Sequence, residues 1–376
     1  MTQRVGWQTL IGSSLIMSFA LLGDALIYAV LPIYAEDFGV TMPMVGILLS
    51  INRFVRVFTY GIISNLVNTY GMRSMCIVAA LMATSSTAIY GLSNGFLPLF
   101  LARIVWGIAY AILVLSTLAY AIQYRAKAGT RVGTSQAIQR LGPILSLLLG
   151  TWLVTQVGPS KVFLLLAIPT SLGIIIGLYL PKYETPNKKV EKTKHKIAKP
   201  TLLDILFFLQ GYGVDGLFAV TVTLMLAKTN DFNIAILGGG TLLALRHFGE
   251  AIAAPIFGYI ADIIGAKKIF LISALLTVSG LLLISQDYII IGAIILLIFR
   301  GALAALGPAI IAQSEVSKEN ILGNLARMQT WRDLGAALGP VITGSTLLLV
   351  SAELQHLILA IIFTSFLVLF KRSKSF

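Results

Sequence analysis

Gly258-Tyr259-Ile260-Ala261-Asp262-Ile263-Ile264-Gly265-Ala266-Lys267 and Ser64-Asn65-Leu66-Val67-Asn68-Thr69-Tyr70-Gly71-Met72-Arg73 are two copies of one pattern, offset by 194 positions. Each follows a long apolar run and leads into another. The same offset pairs Arg53 with His247 and Arg56 with Glu250. Working outward, an offset of 191 pairs Asp24 with Asp215, and one of 197 pairs Arg103 with Arg300 and Gly142-Pro143 with Gly339-Pro340. Self-similarity at a fixed spacing marks a chain built from two homologous halves, and parallel repeats of this size occur in membrane transporters.

The composition agrees with a membrane setting. Of 376 residues, 57% are hydrophobic and 11% charged, where soluble domains carry about a quarter charged. A spanning helix needs about 20 apolar residues, and such runs recur along the chain. The expected spans are about 8–34, 43–66, 74–92, 97–121, 133–156, 161–180, 201–227, 235–261, 269–285, 289–312, 323–350 and 354–371. The first run is too long for a signal-peptide core and lacks a small-residue cleavage site, so it reads as a retained span. The expected organisation is an N-terminal six-helix bundle over 1–180, a basic linker over 181–200, and a C-terminal six-helix bundle over 201–376.

An even number of spans puts both termini on one side. Arg73, Arg125, Lys127, Arg131, Lys267, Lys268, Lys371 and Arg372 fall on that side with the Lys-rich linker, which the positive-inside rule makes cytoplasmic. The implied location is the inner cell membrane. The net charge of +13 therefore reflects membrane orientation and anionic headgroups, not nucleic-acid binding. A single cysteine, Cys76, excludes an intramolecular disulfide and a Cys-based metal cage. With His195, His247 and His356 scattered, no metal site and no cofactor is expected; a monomer is.

Gly258, Asp262, Gly265 and Lys267 resemble the G-x-x-x-D-x-x-G-x-K/R signature that the major facilitator superfamily carries after helices 2 and 8. In the first copy Ser64 replaces the glycine and Asn68 the aspartate, while Arg73 keeps the basic end. Arg103-x-x-x-Gly107 is similar to a family motif associated with proton coupling, and Gly335-x-x-x-Gly339-Pro340-x-x-x-Gly344 resembles a drug-antiporter pattern that normally lies in span 5. The resemblance implies an all-α fold of twelve transmembrane helices, two pseudo-symmetric six-helix bundles around a central cavity. It also implies a conformational latch involving Asn68, Arg73, Gly258, Asp262, Gly265 and Lys267.

Eight arginines lie within or at the ends of apolar runs: Arg53, Arg56, Arg103, Arg140, Arg246, Arg300, Arg327 and Arg332. The acids noted beside them are Asp24, Asp215, Glu250 and Asp333. A charge at the bilayer centre costs at least about 2.5 to 3.5 kcal/mol, so these groups should face a wet cavity or one another. Candidate substrate-binding residues are Asp24, Tyr28, Arg53, Arg56, Arg103, Arg140, Asp215, Arg246, Arg300 and Arg332. For proton coupling they are Asp24, Glu250 and His247, since Arg246 and His247 sit one turn from Glu250 on a helix. Arg327, at a span end, is expected to snorkel.

The implied function is secondary active transport of a small anionic solute, coupled to protons, by alternating access. Organic acids, sugar phosphates and polycarboxylate siderophores fit an arginine-rich cavity. The alternative is a multidrug/proton antiporter. No metalloprotease pattern, nucleophile turn or P-loop supports an enzyme.

Overall fold

The computed structural model describes residues 3–123, 125–181, 199–228, 232–314 and 318–373. Most of the expected linker, residues 182–198, lies outside them. Among the described residues there is no strand, and twelve long helices follow one another. They are α1 (Gln3–Val30), α2 (Met42–Tyr70), α3 (Met72–Leu92) and α4 (Phe96–Ala121); α5 (Ala128–Val157), α6 (Pro159–Tyr179) and α7 (Leu202–Leu226); and α8 (Phe232–Ile264), α9 (Ala266–Ser285), α10 (Ile289–Gln313), α11 (Lys318–Thr346) and α12 (Ala352–Arg372). Ten are long and apolar enough to cross a membrane by length and composition. The other two, α8 and α11, are 33 and 29 residues long and carry Arg246, Glu250, Arg332 and Asp333.

The helices fall into two compact units, Met1–Gln123 with Ile138–Ile197, and Tyr124–Ala137 with Ala198–Phe376. The start of α5 is thus counted with the second unit. Each unit has an aromatic centre. In the first, Phe163 meets Phe38 and Tyr90 edge-on at 6.1 and 5.6 Å. In the second, Phe270 lies 6.1 Å from Phe207 and 5.6 Å from Phe370. Large apolar side chains also point outward, among them Ile168, Leu275 and Ile361, as expected of helices solvated by hydrocarbon.

The repeated segments that mark the two halves were expected after spans 2 and 8, yet they are helical. Ser64–Tyr70 and Gly258–Ile264 are the last turns of α2 and α8. Nothing in either segment stops a helix before its glycine. Gly71 and Gly265 then adopt φ of +81° and +107°, a region that side chains with a Cβ rarely enter, and the next helix starts at once.

Two helices contain π-helical turns. In α5 it is Ser146–Gly150, just after Pro143; in α7 it is Gly211–Phe218, which carries Asp215. Such turns re-aim side chains and recur at functional sites. The wide turn of α7 lies directly against α11: a Cβ added at Gly339 would stand 2.6 Å from the Cα of Gly216 and 2.9 Å from the Tyr212 carbonyl oxygen. The glycine-proline motif of α11 is therefore a backbone-to-backbone crossing. Gly339→Val should cost about 1 to 3 kcal/mol and lower the thermal unfolding temperature in detergent, because backbone must move. Gly344→Val, with open space around it, should leave that temperature nearly unchanged.

Candidate functional site

In the first unit, Arg103 of α4 is almost wholly buried and surrounded by oxygen. Its Nη1 donates to Asp24 Oδ1 of α1 at 2.5 Å, and its Nε to the Leu48 carbonyl of α2 at 2.9 Å. Its Nη2 donates to the Tyr28 hydroxyl at 3.0 Å, and Nη1 also approaches the Tyr90 hydroxyl at 3.4 Å. Asp24 and Tyr28 are one helical turn apart, so α1 presents carboxylate and phenol together. The Tyr28 hydroxyl in turn faces the Leu49 carbonyl at 3.0 Å and Asn52 Oδ1 at 3.4 Å, which ties the pair to α2. A guanidinium in hydrocarbon is tolerable only when its donors are filled in this way.

The second unit repeats the pair at the matched positions. Arg300 of α10 donates from Nη2 to Asp215 of α7 at 3.0 Å. Here α8 adds two charges. Arg300 Nη1 donates to Glu250 Oε2 at 2.5 Å, and Arg246 Nη1 donates to Asp215 Oδ1 at 3.1 Å. Two arginines and two acids on three helices thus alternate in one network, with Glu250 buried at its closed end and Arg246 at its more open end. Glu250 thus bonds an arginine across on α10 as well as standing one turn from Arg246 on its own helix. The Gln210 side chain donates to the Arg300 carbonyl at 3.2 Å, fixing the two helices at that level.

The pseudo-symmetry breaks on the second and eighth helices. Where α8 has Arg246 and Glu250, α2 has Asn52 and Arg56. Arg56 is buried, with its guanidinium carbon 4.2 Å above the Tyr110 ring, and Trp106 meets that ring edge-on at 5.9 Å. Cation–π stacking holds the plane of Arg56. Arg53 is half-buried one turn away and Arg140 buried; His247 is half-buried beside Arg246. In the second unit Arg332 donates to Gln329 Oε1 at 3.3 Å, and Asp333 is buried next to it.

One acid escaped the sequence reading. Asp204, buried at the start of α7, accepts from Arg327 Nε at 2.6 Å. Arg327 is therefore tied inward instead of snorkelling. The available signal was Thr201-x-x-Asp204, which forms a reciprocal capping box in the structure.

Asp262 closes the start of α5. Its Oδ1 accepts from the Gly129 amide at 2.8 Å, and its Oδ2 from the Thr130 amide at 2.7 Å and the Thr130 hydroxyl at 2.6 Å. The carboxylate thus satisfies two helix-end amides where the helix dipole favours negative charge. Gly258, one turn earlier, lets the backbones touch: a Cβ there would stand 2.1 Å from the Gly129 carbonyl oxygen. The basic ends of the two copies act alike, each within its own unit. Arg73 donates to the Leu178 carbonyl at 2.5 Å and Lys267 to the Ser373 carbonyl at 2.9 Å, where each bonds the end of a helix, α6 or α12. Asn68 is half-buried in the last turn of α2. Among the described residues no cluster of His, Cys, Asp and Glu could hold a metal ion.

The family model of the Major Facilitator Superfamily matches residues 13–227 and 203–375. The chain belongs to that superfamily. It is a multi-pass membrane transporter, not an enzyme. It is 25% identical, over 96% of its length and 95% of the relative's, to a Haemophilus influenzae protein whose name assigns it provisionally to metabolite transport. It is 26% identical to Multidrug resistance protein MdtG of Citrobacter koseri, covering 84% of this chain and 82% of that one. In fold it is similar to the human organic anion transporter MFSD10 (TETRAN), with a TM-score of 0.79, 16% identity, and coverage of 98% of this chain and 100% of that one. The Escherichia coli fucose:proton symporter FucP gives a TM-score of 0.73 at 12% identity, covering 97% of this chain and 98% of that one.

Breaking a buried ion pair from one side strands a charge and costs about 3 to 5 kcal/mol, whereas removing both partners costs far less. Asp24→Leu and Arg103→Leu should each lower the thermal unfolding temperature sharply, and the double variant should recover most of the loss. Additive losses in this double-mutant cycle would contradict the pairing.

Proposed function

We propose that the chain is a proton-coupled carrier of a small anion, working by alternating access in the inner cell membrane with both termini cytoplasmic. The observation that carries this reading is the Asp215–Arg300–Glu250 network, in which one buried guanidinium holds two carboxylates. A substrate anion that competes for Arg300 displaces Glu250, and a carboxylate left without its cation in a buried site takes up a proton. Anion and proton are then bound together. Arg53, Arg56, Arg140, Arg246 and Arg332 supply the cationic surplus that favours anionic groups, and Asp24, His247 and Tyr28 complete the candidate set. An organic acid, a sugar phosphate or a polycarboxylate siderophore fits that chemistry, and the organic anions named for MFSD10 are of the same class.

A second reading, multidrug/proton antiport, is favoured by the similarity to MdtG and by the glycine-proline motif of α11. In that reading Glu250 or Asp24 carries a proton before the drug arrives, and a cationic drug that takes the carboxylate releases it. The sign of the proton change on binding separates the two.

The Asp262 cap on α5 supports one further element of this reading: a latch that stabilises one of the alternating states. Losing the charge at a helix N-terminus removes about 0.3 to 2 kcal/mol, enough to shift a balanced equilibrium several-fold. With Cys76 replaced by alanine, Asp262→Asn should raise the labelling rate of single cysteines placed along the first turns of α5. Unchanged rates would remove Asp262 from the latch.

The coupling test uses proteoliposomes with and without an imposed pH gradient. Glu250→Gln and Asp24→Asn should abolish uphill, pH-driven accumulation of the anion while preserving exchange at equal concentrations. If both variants accumulate it as the parent does, the carboxylates are structural partners of the arginines.

A further inference from the structure

Within the second unit, α7, α11 and α12 line an open cavity of about 320 Å³, and none of Asp215, Arg246, Glu250 and Arg300 is among its lining residues. Its origin lies in the glycines of α7. On one side of that helix Gly216 meets Gly339 backbone to backbone, and Leu359 of α12 seats against Gly213, where a Cβ would stand 2.7 Å from its Cδ2. Phe208 and Tyr212, stacked 6.4 Å apart, then hold the helices open beside these close approaches.

The walls offer almost nothing to a polar occupant. The Thr346 hydroxyl is turned to the Ile342 carbonyl at 2.7 Å and the Gln355 amide to the Val350 carbonyl at 2.9 Å, and the Tyr212 hydroxyl is the third polar side-chain group of the lining. A resident water needs two to four polar partners, and seven of the ten lining side chains are apolar. Three lining residues, Ile342, Ile358 and Ile362, are each at least 40% exposed on membrane-spanning helices, so the mouth is continuous with the surface that meets hydrocarbon.

We propose that this cavity binds one acyl chain of a bilayer lipid. An empty void forfeits the dispersion contacts of its walls, and the surrounding chains are the apolar matter at hand. A chain moving from bilayer to cavity gains no hydrophobic transfer free energy, because lipid tails are as apolar as the walls. Binding therefore depends on shape and selects chains over headgroups. The volume, at the small end of ligand cavities, suits one chain and not a whole lipid.

Trp331 reports on the site because its ring meets the lining residue Phe208 edge-on at 6.3 Å. The test places protein with Trp331 as its sole tryptophan, the others replaced by phenylalanine, in phosphatidylcholine vesicles whose acyl chains carry bromine, a contact quencher. Trp331, one ring removed from the occupant, should lose emission relative to the same protein in unbrominated vesicles. Thr346→Phe or Ile358→Phe, which fill the cavity, should restore most of it, and exchanging choline for glycerol headgroups should change nothing. Native mass spectrometry of the otherwise unaltered chain gives a second reading: one lipid retained by the parent and lost in Thr346→Phe. Absence of quenching, equal quenching in the filled variants, or recovery of emission on adding a lipophilic cation would each overturn the assignment.

Discussion

The arginine on the fourth helix of each unit is the constraint from which the rest follows. A guanidinium cannot shed its charge, and leaving it in hydrocarbon without acceptors costs several kcal/mol. Each unit answers with an aspartate on its first helix: Asp24 for Arg103 and Asp215 for Arg300. That requirement fixes the facing sides of two helices and places a tyrosine, a backbone carbonyl or a glutamate around them. The two pairs stand at matching places in a repeated sequence, so the pairing is a property of the repeat, and the chemistry added by the second and eighth helices distinguishes the halves.

That added chemistry differs in net charge. The α8 positions bring Arg246 and Glu250 and make the second network balanced, whereas the equivalent α2 positions bring Asn52 and Arg56 and make the first one cationic. A balanced network can trade partners when a proton arrives; a cationic one favours an anion.

The repeat, the spans and the charged positions were legible in the sequence because a span has a minimum length and a buried charge is rare. Partners were less so. The sequence set Glu250 beside Arg246 and His247 on one helix face, but the bond from Arg300 depends on how α8 and α10 pack, which helical spacing does not report. Asp204 has the spacing of a helix-start residue, which it is; its burial against Arg327 depends on how α7 and α11 pack. The repeated signature was expected after the spans, and the positive φ of Gly71 and Gly265 shows that one residue makes the turn. The apolar cavity beside α7 left no trace in composition, since its walls are ordinary spanning residues.

Glu250 exchanging Arg300 for a proton is the central claim, and proton counting during ligand binding tests it most directly. Citrate, benzoate and glucose 6-phosphate, titrated into weakly buffered protein in detergent, should include at least one anion whose binding draws about one proton from solution. The same anion should bind Glu250→Gln with no proton uptake. Binding by the parent without proton uptake, equal uptake by the variant, or binding of none of the three would contradict the account.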